Sequence, residues 1–509
     1  MKHLILDYLE STGARVPEKT AFADEANCAT FAQLISGAKA VASALLERVG
    51  PRSSVGFYMD KSVAAVTGFM GAVYAGCAYA PLNLRHPAAR IRDILGTLGS
   101  SVVVTDRAHA DALAQIAEGY DVLLIEELME HAVDDAQLAR VRAQMIDIDP
   151  LYVNFTSGST GTPKGVVVCH RSVIDFIRCF TEIFSITQDD VLANQAPFDF
   201  DVSVKDIYSG MFTGATVQIV PTAYFTQPTK LMDFLCDRGA TVMVWAVSAL
   251  CFLTTMNAIA YRTPECLRAI LFSGEVMPVK HLKKLQKYLP DAMYVNLYGP
   301  TEITCNCTYY IVDRAFEDAE TLPIGIPFPN ERILLLTEDG REAAPGETGE
   351  LCVSGTALAL GYLNDPERTA AAFVQNPLNK SVPETIYRTG DLVRLTERGE
   401  MVYVSRKDFQ VKHMGHRIEL GEIESALGAV EGVSRACCIY LHDKGKILAF
   451  TCGEADKQAI VAALGERLPA YMIPNIFMQV DAMPLNKNGK IDRAALKALY
   501  EERKGKRHG

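Results

Sequence analysis

The sequence predicts an α/β fold: a large N-terminal domain of helix-covered β-sheets with a small β-barrel-like part, then a small mobile α+β domain at the C-terminus. Three observations predict it. From SSVGFYMD (53–60) to MYVNLYG (293–299), apolar β-rich runs alternate with helix-like stretches, the pattern of parallel sheets covered by helices. After residue 320 the pattern changes to short strands and turns, and from residue 405 a second set of helices and strands begins. The expected domains are therefore 1–404 and 405–509, in a chain of 509 residues that is long for one domain.

Each element has its own signal. SSVGFYMD reads as a strand and KSVAAVTGFMGAVYAG (61–76) as the helix after it. SVVVTD (101–106) and VLLIEE (122–127) read as strands, and GVVVCH leads into a helix expected from about Ser172. TVQIVP (216–221), PTKLMDFLCDRG (228–239) and TVMVWA (241–246) read as strand, helix and strand. AILFSGE (269–275) is followed by the amphipathic PVKHLKKLQKYLP (278–290) and then MYVNLYG. GETGELCVSGTALALGYL and the stretch from Tyr387 to Val404 are short strands with turns. In the last hundred residues IELGEIESALGAV, DKQAIVAALGERL and the stretch from Asp492 read as helices, ACCIYLHD and KILAFTCG as strands.

Composition excludes several classes. A net charge of −11 argues against broad nucleic-acid binding, which needs basic surface. The thirteen cysteines are scattered without a CxxC pair, so reduced thiols and a cytoplasmic protein are expected rather than a disulfide framework or a zinc knuckle. The opening MKHLILDYLESTG lacks the pattern of a signal peptide. No apolar run approaches the ~20 residues of a membrane span.

The stretch TSGSTGTPKG (156–165) cannot build a core. It offers hydroxyl donors, freely turning backbone and one cation, which suit a phosphate chain. It is not a P-loop, because Lys164 follows Pro163 and precedes Gly165. A strand-like LYVNF before it and GVVV after it make it a tight hydroxyl-rich turn; read alone, it could be a plain surface turn.

Its companions decide between the two. AGCAYAPLN (75–83), TSGSTGTPKG, FDFDVS (198–203), NLYGPTE (296–302), GELCVSG (349–355), YRTGDL (387–392), KDFQVKHMGHRIELGEIE (407–424) and PLNKNGKID (484–492) occur in that order. On these motifs the chain resembles, over nearly its whole length, the adenylate-forming enzymes: acyl-CoA synthetases, luciferases and the amino-acid adenylation domains of nonribosomal peptide synthesis. NQAPFDFDVSVKD makes it most similar to stand-alone D-alanine–carrier-protein ligases.

The resemblance implies ATP and Mg²⁺ as cofactors and a carboxylate that attacks the α-phosphorus of ATP. Thr156, Ser157, Gly158, Ser159, Thr160, Gly161 and Lys164 are then expected at the β- and γ-phosphates, with Thr156 among the catalytic residues. Asn296 and Tyr298, with Gly299, should frame the adenine, Thr301 should reach the α-phosphate and Glu302 should hold Mg²⁺. Asp391 should accept from the ribose hydroxyls, near Arg406 and the strand residue Tyr403; a turn aspartate is the plainer reading of TGD. Ser405 stands where the family has glycine. Lys490, on what would otherwise be a solvated turn, becomes the catalytic cation that bridges the substrate carboxylate and the α-phosphate.

For the second step the resemblance implies a hinge at Asp408, a swing of the small domain, and transfer to a thiol. Gly415 would let a pantetheine arm approach, with Arg417 and Glu419 as supports. Asp201 matches the aspartate that holds a substrate ammonium, as opposed to a helix cap; Asp199 reads as a surface acid. The pocket positions carry over as Val202, Lys205, Val244, Leu271, Ser273, Leu297, Cys305 and Asn306. D-alanine ligases have cysteine where Ser273 stands. Lys205 could meet a second substrate carboxylate, pair with Asp206 or Asp201, or point to solvent. Nineteen residues follow Lys490, too few for a carrier domain, so the expected acceptor is a separate phosphopantetheinylated carrier protein. The protein is expected to be a monomer or weak dimer. The competing readings are an acyl- or aryl-CoA ligase and a catalytically silent nucleotide-binding scaffold.

Overall fold

The computed structural model describes residues 3–158, 162–442, 444–485 and 491–505. The chain divides into two compact units. The first comprises Met1–Leu84, Leu95–Phe155 and Gly165–Lys407; the second comprises Arg85–Ile94, Thr156–Lys164 and Asp408–Gly509. The division near the C-terminus thus falls three residues after the expected 404. The cause is the strand Met401–Arg406, which pairs with Thr385–Leu395 and holds Ser405 and Arg406 in the first unit.

Among the described residues, two large sheets organise the first unit. One has the strand order 326–327, 308–311, 293–298, 269–273, 242–246, 191–194, 216–219, 20–23 and 28–30. Its central strands are parallel and its outer pairs antiparallel. The other contains the parallel strands 78–82, 54–58, 102–105 and 121–124, with 150–156, 164–169 and 361–362 continuing it. Two apolar clusters follow from strand alternation. Val242, Val244, Leu271, Val295 and Leu297 belong to a cluster with Val202 and Tyr208, whereas Met243, Trp245, Ile270 and Phe272 belong to another. Buried Trp245 donates through Nε1 to the Ala193 carbonyl at 2.7 Å, so its polar atom is satisfied.

The small β part is an antiparallel sheet in the order 331–336, 348–355, 385–395 and 373–375, with 401–406 added on 385–395. The strand expected over 122–127 ends at Leu124, where the helix Ile125–Met129 starts by burying Ile125 and Leu128. The helix expected from Ser172 starts at His170, whose Nδ1 accepts from the Ile5 amide at 3.2 Å.

In the second unit, Gln410–His413 and His416–Glu419 form a hairpin. Its turn residues, Met414 and Gly415, both have positive φ, 53° and 81°, as a two-residue hairpin turn requires. The helix expected from Ile418 begins at Leu420 because Ile418 and Glu419 are spent on this hairpin. Val433–Leu441 and Lys446–Gly453 pair antiparallel, Ile476–Gln479 adds parallel, and the helix Arg493–Gly505 contributes Leu496 and Tyr500 to the core. No helix among the described residues is long and apolar enough to cross a membrane. All thirteen cysteines are free thiols.

Gly325 shows how tightly the edge of the larger sheet is built. It has φ +85°, and a Cβ there would lie 1.8 Å from the Tyr309 carbonyl oxygen, beside the strand that pairs with Met293–Tyr298. Gly325→Ala combines backbone strain with a clash that no rotamer relieves. The variant should melt several degrees below the wild type in a thermal scan; an unchanged transition would contradict this packing.

Candidate active site

Several expected site residues of the first unit lie toward the carboxyl ends of parallel strands, the usual place for ligands in such sheets. Strand Met293–Tyr298 delivers Asn296, Leu297 and Tyr298, and strand Ala269–Ser273 delivers Leu271 and Ser273. Val244 pairs with Leu271 and Leu271 with Val295, so their side chains share one face. The chain then reverses. Thr301–Ile303 is a short 3-10 turn, and Thr304 and Cys305 both adopt positive φ, 52° and 77°. Cys307 N donates to the Tyr298 carbonyl at 2.9 Å and closes the reversal. Gly299 allows it: a Cβ there would lie 2.5 Å from the Asn306 Cα.

This reversal brings Cys305 and Asn306 to the helix Val202–Thr213. Lys205 Nζ donates to Asn306 Oδ1 at 2.6 Å, and Cys305 Sγ donates to the Asp201 carbonyl at 3.0 Å. Burial, followed by the Asp201 carboxylate, pushes the Cys305 thiol up, so it stays a donor. Val202, Val244, Leu271, Leu297 and Cys305 belong to one apolar cluster, and Ser273, Asn306, Lys205 and Asp201 are buried. Asp201 occupies the N-cap position of the helix, yet its side chain makes no capping hydrogen bond. The cap reading of Asp201 is thereby removed.

Lys205 is not at the surface: its accessible area is zero, which overturns the solvent alternative. Burial lowers its pKa, while Cys305, Asp201 and Asp206 pull the other way. Asp206 does not bond Lys205. Its Oδ2 accepts from Asn194 Nδ2 at 2.9 Å, and Asn194 in turn faces Lys61 Nζ, which donates to the Asn194 and Gln195 carbonyls. Asp199, read from sequence as a surface acid, is half-buried and accepts from Asn83 Nδ2 at 3.0 Å.

The expected nucleotide residues form two buried groups. In the first, Tyr298 donates its hydroxyl to Asp391 Oδ2, and Arg406 Nη1 donates to Asp391 Oδ1 at 2.6 Å. Arg406 Nη2 also donates to the Thr389 carbonyl at 2.9 Å, and Thr389 Oγ1 accepts from the Asp391 amide at 3.0 Å. Burial and then the Asp391 carboxylate push the Tyr298 phenol far above its ordinary range, so it remains a donor. The carboxylate keeps unused lone pairs for further donors such as ribose hydroxyls. Tyr403, half-buried, packs in the apolar cluster beneath Tyr298. Asn296 Nδ2 donates to the Pro323 carbonyl at 2.8 Å, so its amide is anchored to backbone.

In the second group Glu302 is fully buried and accepts the Tyr362 hydroxyl on Oε1 at 2.8 Å; Thr301, also buried, starts the same turn. No cluster of three or more His, Cys, Asp or Glu residues suited to a metal exists among the described residues. The Glu302 carboxylate, expected from the sequence at Mg²⁺, is of the hard oxygen type that this ion takes together with phosphate and water.

Thr156 ends the strand Pro150–Thr156, and its buried Oγ1 has no hydrogen-bond partner. Lys164 is buried at the start of Lys164–Cys169. Within the second unit, Ser157 Oγ donates to the Arg417 carbonyl at 2.7 Å and accepts from the Glu419 amide at 3.2 Å. The backbone of Gly158 bonds Glu422, which is tied to Arg90 in a buried ion pair. Asp408, exposed, accepts from the Gln410 amide at 3.1 Å and opens the hairpin that Gly415 turns. Ser159, Thr160, Gly161 and Lys490 lie outside the described residues.

Sequence reasoning missed Tyr362, Thr389 and the Asn194–Asp206–Lys61 group. Thr389 sits inside the YRTGDL motif and could have been read as the residue that sets the Asp391 loop. Nothing in GYL marks Tyr362 as a partner of Glu302, because the contact spans sixty residues.

The chain matches the family model described as "AMP-binding enzyme" over residues 9–363 and the one described as "AMP-binding enzyme C-terminal domain" over residues 422–490. It is 34% identical to Bacitracin synthase 1 of Bacillus licheniformis over 502 residues, which are 96% of this chain but 9% of that one. It is 33% identical to Zwittermicin A synthase ZmaJ of Bacillus cereus, covering 99% of this chain and 96% of the relative. The solved structure of holo-PA1221, described as an NRPS protein containing adenylation and PCP domains, aligns with a TM-score of 0.84 at 25% identity, over 97% of this chain and 84% of that one.

Burial of Asp206 raises its pKa from the ordinary 3.8 to about 7. Between those values the folded chain holds a proton that the unfolded chain has lost. Stability from this group therefore falls as pH rises from about 4 to about 7, and is level above. Asp206→Asn keeps an acceptor for Asn194 and removes the titration. The variant should gain stability relative to wild type between pH 5 and pH 8 in thermal melts; a constant difference would show that Asp206 does not titrate there.

Proposed function

Because the chain belongs to the AMP-binding, adenylate-forming enzyme family, we propose that it activates an amino acid as aminoacyl-AMP and passes the acyl group to the phosphopantetheine thiol of a carrier protein. The observation that supports an amino acid is Asp201: a buried carboxylate at the mouth of a helix, with no capping role, beside an apolar pocket. An α-ammonium is a favourable neighbour for a buried carboxylate. Peptide synthases among the relatives, and an adenylation–PCP protein among the similar structures, support the carrier thiol as acceptor.

In this reading a substrate carboxylate oxygen attacks the α-phosphorus of ATP, a P–O bond forms, and the bond to the β-phosphate oxygen breaks, releasing pyrophosphate. Asp391 accepts from the ribose while Arg406 and Tyr298 hold it in place. Thr301 and Thr156 donate to the phosphates, and the loop through Lys164 carries the β- and γ-phosphates. Mg²⁺, when bound at Glu302, supplies charge neutralisation on the phosphates. Lys490 is assigned to the developing charge between carboxylate and α-phosphate. The thiolate then attacks the acyl carbon and AMP leaves, a step for which the hinge at Asp408 and the hairpin turn at Gly415 are proposed.

Amino-acid-dependent exchange of labelled pyrophosphate into ATP tests the reading, with L- and D-amino acids, fatty acids and aryl acids as candidates. At least one amino acid should drive exchange, and Asp201→Ala should reduce it by ~100-fold or more, the scale for losing the partner of a buried charge. Lys490→Ala should reduce exchange by orders of magnitude while the melting curve is unchanged. Exchange with fatty or aryl acids alone would overturn the amino-acid assignment.

A further inference from the structure

A glutamate outside the chemistry described above stands behind the reversal at Thr304. Glu331 opens the strand Glu331–Leu336 and lies opposite Gly355 on the strand Thr348–Gly355. Its Oε1 accepts from the Ala357 amide at 2.8 Å. Its Oε2 is buried, with no hydrogen-bond partner among the described residues. The chain makes room for this carboxyl: Gly355 has φ +151°, and a Cβ there would lie 2.5 Å from Glu331 Oε2. The residues just before Glu331 and Ala357 are clasped by one acid, Asp175, which accepts from Asn330 Nδ2 at 2.8 Å and from Thr356 Oγ1. Burial raises the Glu331 pKa from 4.5 to about 8 against the pull of the Ala357 amide, and Asp175 pushes the same way as burial. At neutral pH the group is thus a neutral acid whose Oε1 serves as an acceptor.

Ala357 passes this contact on. Its carbonyl accepts from Thr304 Oγ1 at 2.7 Å, and Thr304 is the buried residue with φ 52° at the reversal. Two residues later the Ala359 amide donates to the Glu302 carbonyl at 2.9 Å. The segment from Ala357 to Ala359 is therefore the support on which the turn through Thr301 and Glu302 rests. Removing the Glu331 carboxyl leaves the Ala357 N–H without its acceptor. A peptide so deprived turns toward another acceptor, and its carbonyl turns with it, away from Thr304. The segment stays attached meanwhile: Ser172 Oγ donates to the Leu358 carbonyl at 3.0 Å and the Leu360 amide to the Val167 carbonyl at 2.8 Å. The loss falls on position rather than on folding.

Resting on the adenylating reading above, we propose that Glu331 is a positioning residue for the attack on ATP: through the Ala357 peptide it holds Thr304 in the reversal, and so sets where Thr301 and Glu302 stand. The group of Tyr298, Asp391 and Arg406 precedes the reversal and is held by its own hydrogen bonds. Glu331 therefore acts on the phosphate end of the nucleotide and leaves the sugar end alone.

The test is pyrophosphate exchange by the whole chain, with whichever carboxylic acid drives the wild type best. Glu331→Ala should lower kcat ~10-fold or more, the scale of a small misplacement near reacting atoms, with KM for ATP nearly unchanged. Glu331→Gln, isosteric with the neutral acid and keeping the acceptor, should exchange like the wild type. Thr304→Ala should also lower kcat, and the double variant Glu331→Ala with Thr304→Ala should lose no more than the worse single one, because both act through the Ala357 peptide. Wild-type kcat in Glu331→Ala, a Glu331→Gln variant as slow as Glu331→Ala, or a double variant losing the product of the two single effects would each overturn the proposal and leave the adenylating reading standing. Silence of the wild type on every carboxylic acid would overturn both. Should Glu331→Ala fail to fold, Glu331→Met, which fills the same space without an acceptor, takes its place in the comparison.

Discussion

Thr304 and Cys305 stand in left-handed backbone that neither side chain favours. They are held there from both ends. Thr304 Oγ1 donates to the Ala357 carbonyl at 2.7 Å, and Cys305 Sγ donates to the Asp201 carbonyl. Everything chemical in the first unit hangs on this reversal. Before it, Tyr298 reaches Asp391; at its turn, Glu302 meets Tyr362; after it, Asn306 meets Lys205. One strained stretch of chain thus ties Tyr298 and Glu302 to Asn306 and Lys205, and Gly299 is the residue whose missing side chain makes room for it.

The alternation of strands and helices was readable because a strand buried on both faces needs an unbroken apolar run, and TVMVWA and AILFS supply it. The motifs put the expected pocket positions on one helix and neighbouring strands because each motif is short and local. Failures came where a side chain's fate depends on distant chain. Lys205 could not be told from a surface lysine, since the amide oxygen that accepts from it belongs to Asn306, about a hundred residues on. The early end of the strand at Leu124 has a similar cause: IEEL is as good a helix start as a strand end, and packing of Ile125 and Leu128 decides it. The commitment of Asn296 to the Pro323 carbonyl has no local signal at all.

The two buried acids of the nucleotide groups are prepared differently. Asp391 already has a guanidinium and a phenol, so it can be buried as a carboxylate at little cost and still accept more hydrogen bonds. Glu302 has a neutral phenol on one oxygen.

The point at which the chain divides also has a consequence. Arg406 belongs to the strand that hydrogen-bonds the Asp391 strand, residue against residue, whereas the second unit begins at Asp408. The groups proposed for the ribose are therefore all fixed to one sheet and to one another. Lys490 is carried by the polypeptide beyond the division. The strand that carries Arg406 is continued by Lys407 N, which donates to the Gly390 carbonyl at 2.8 Å. Asp391 and Arg406 thus keep their mutual geometry within the first unit.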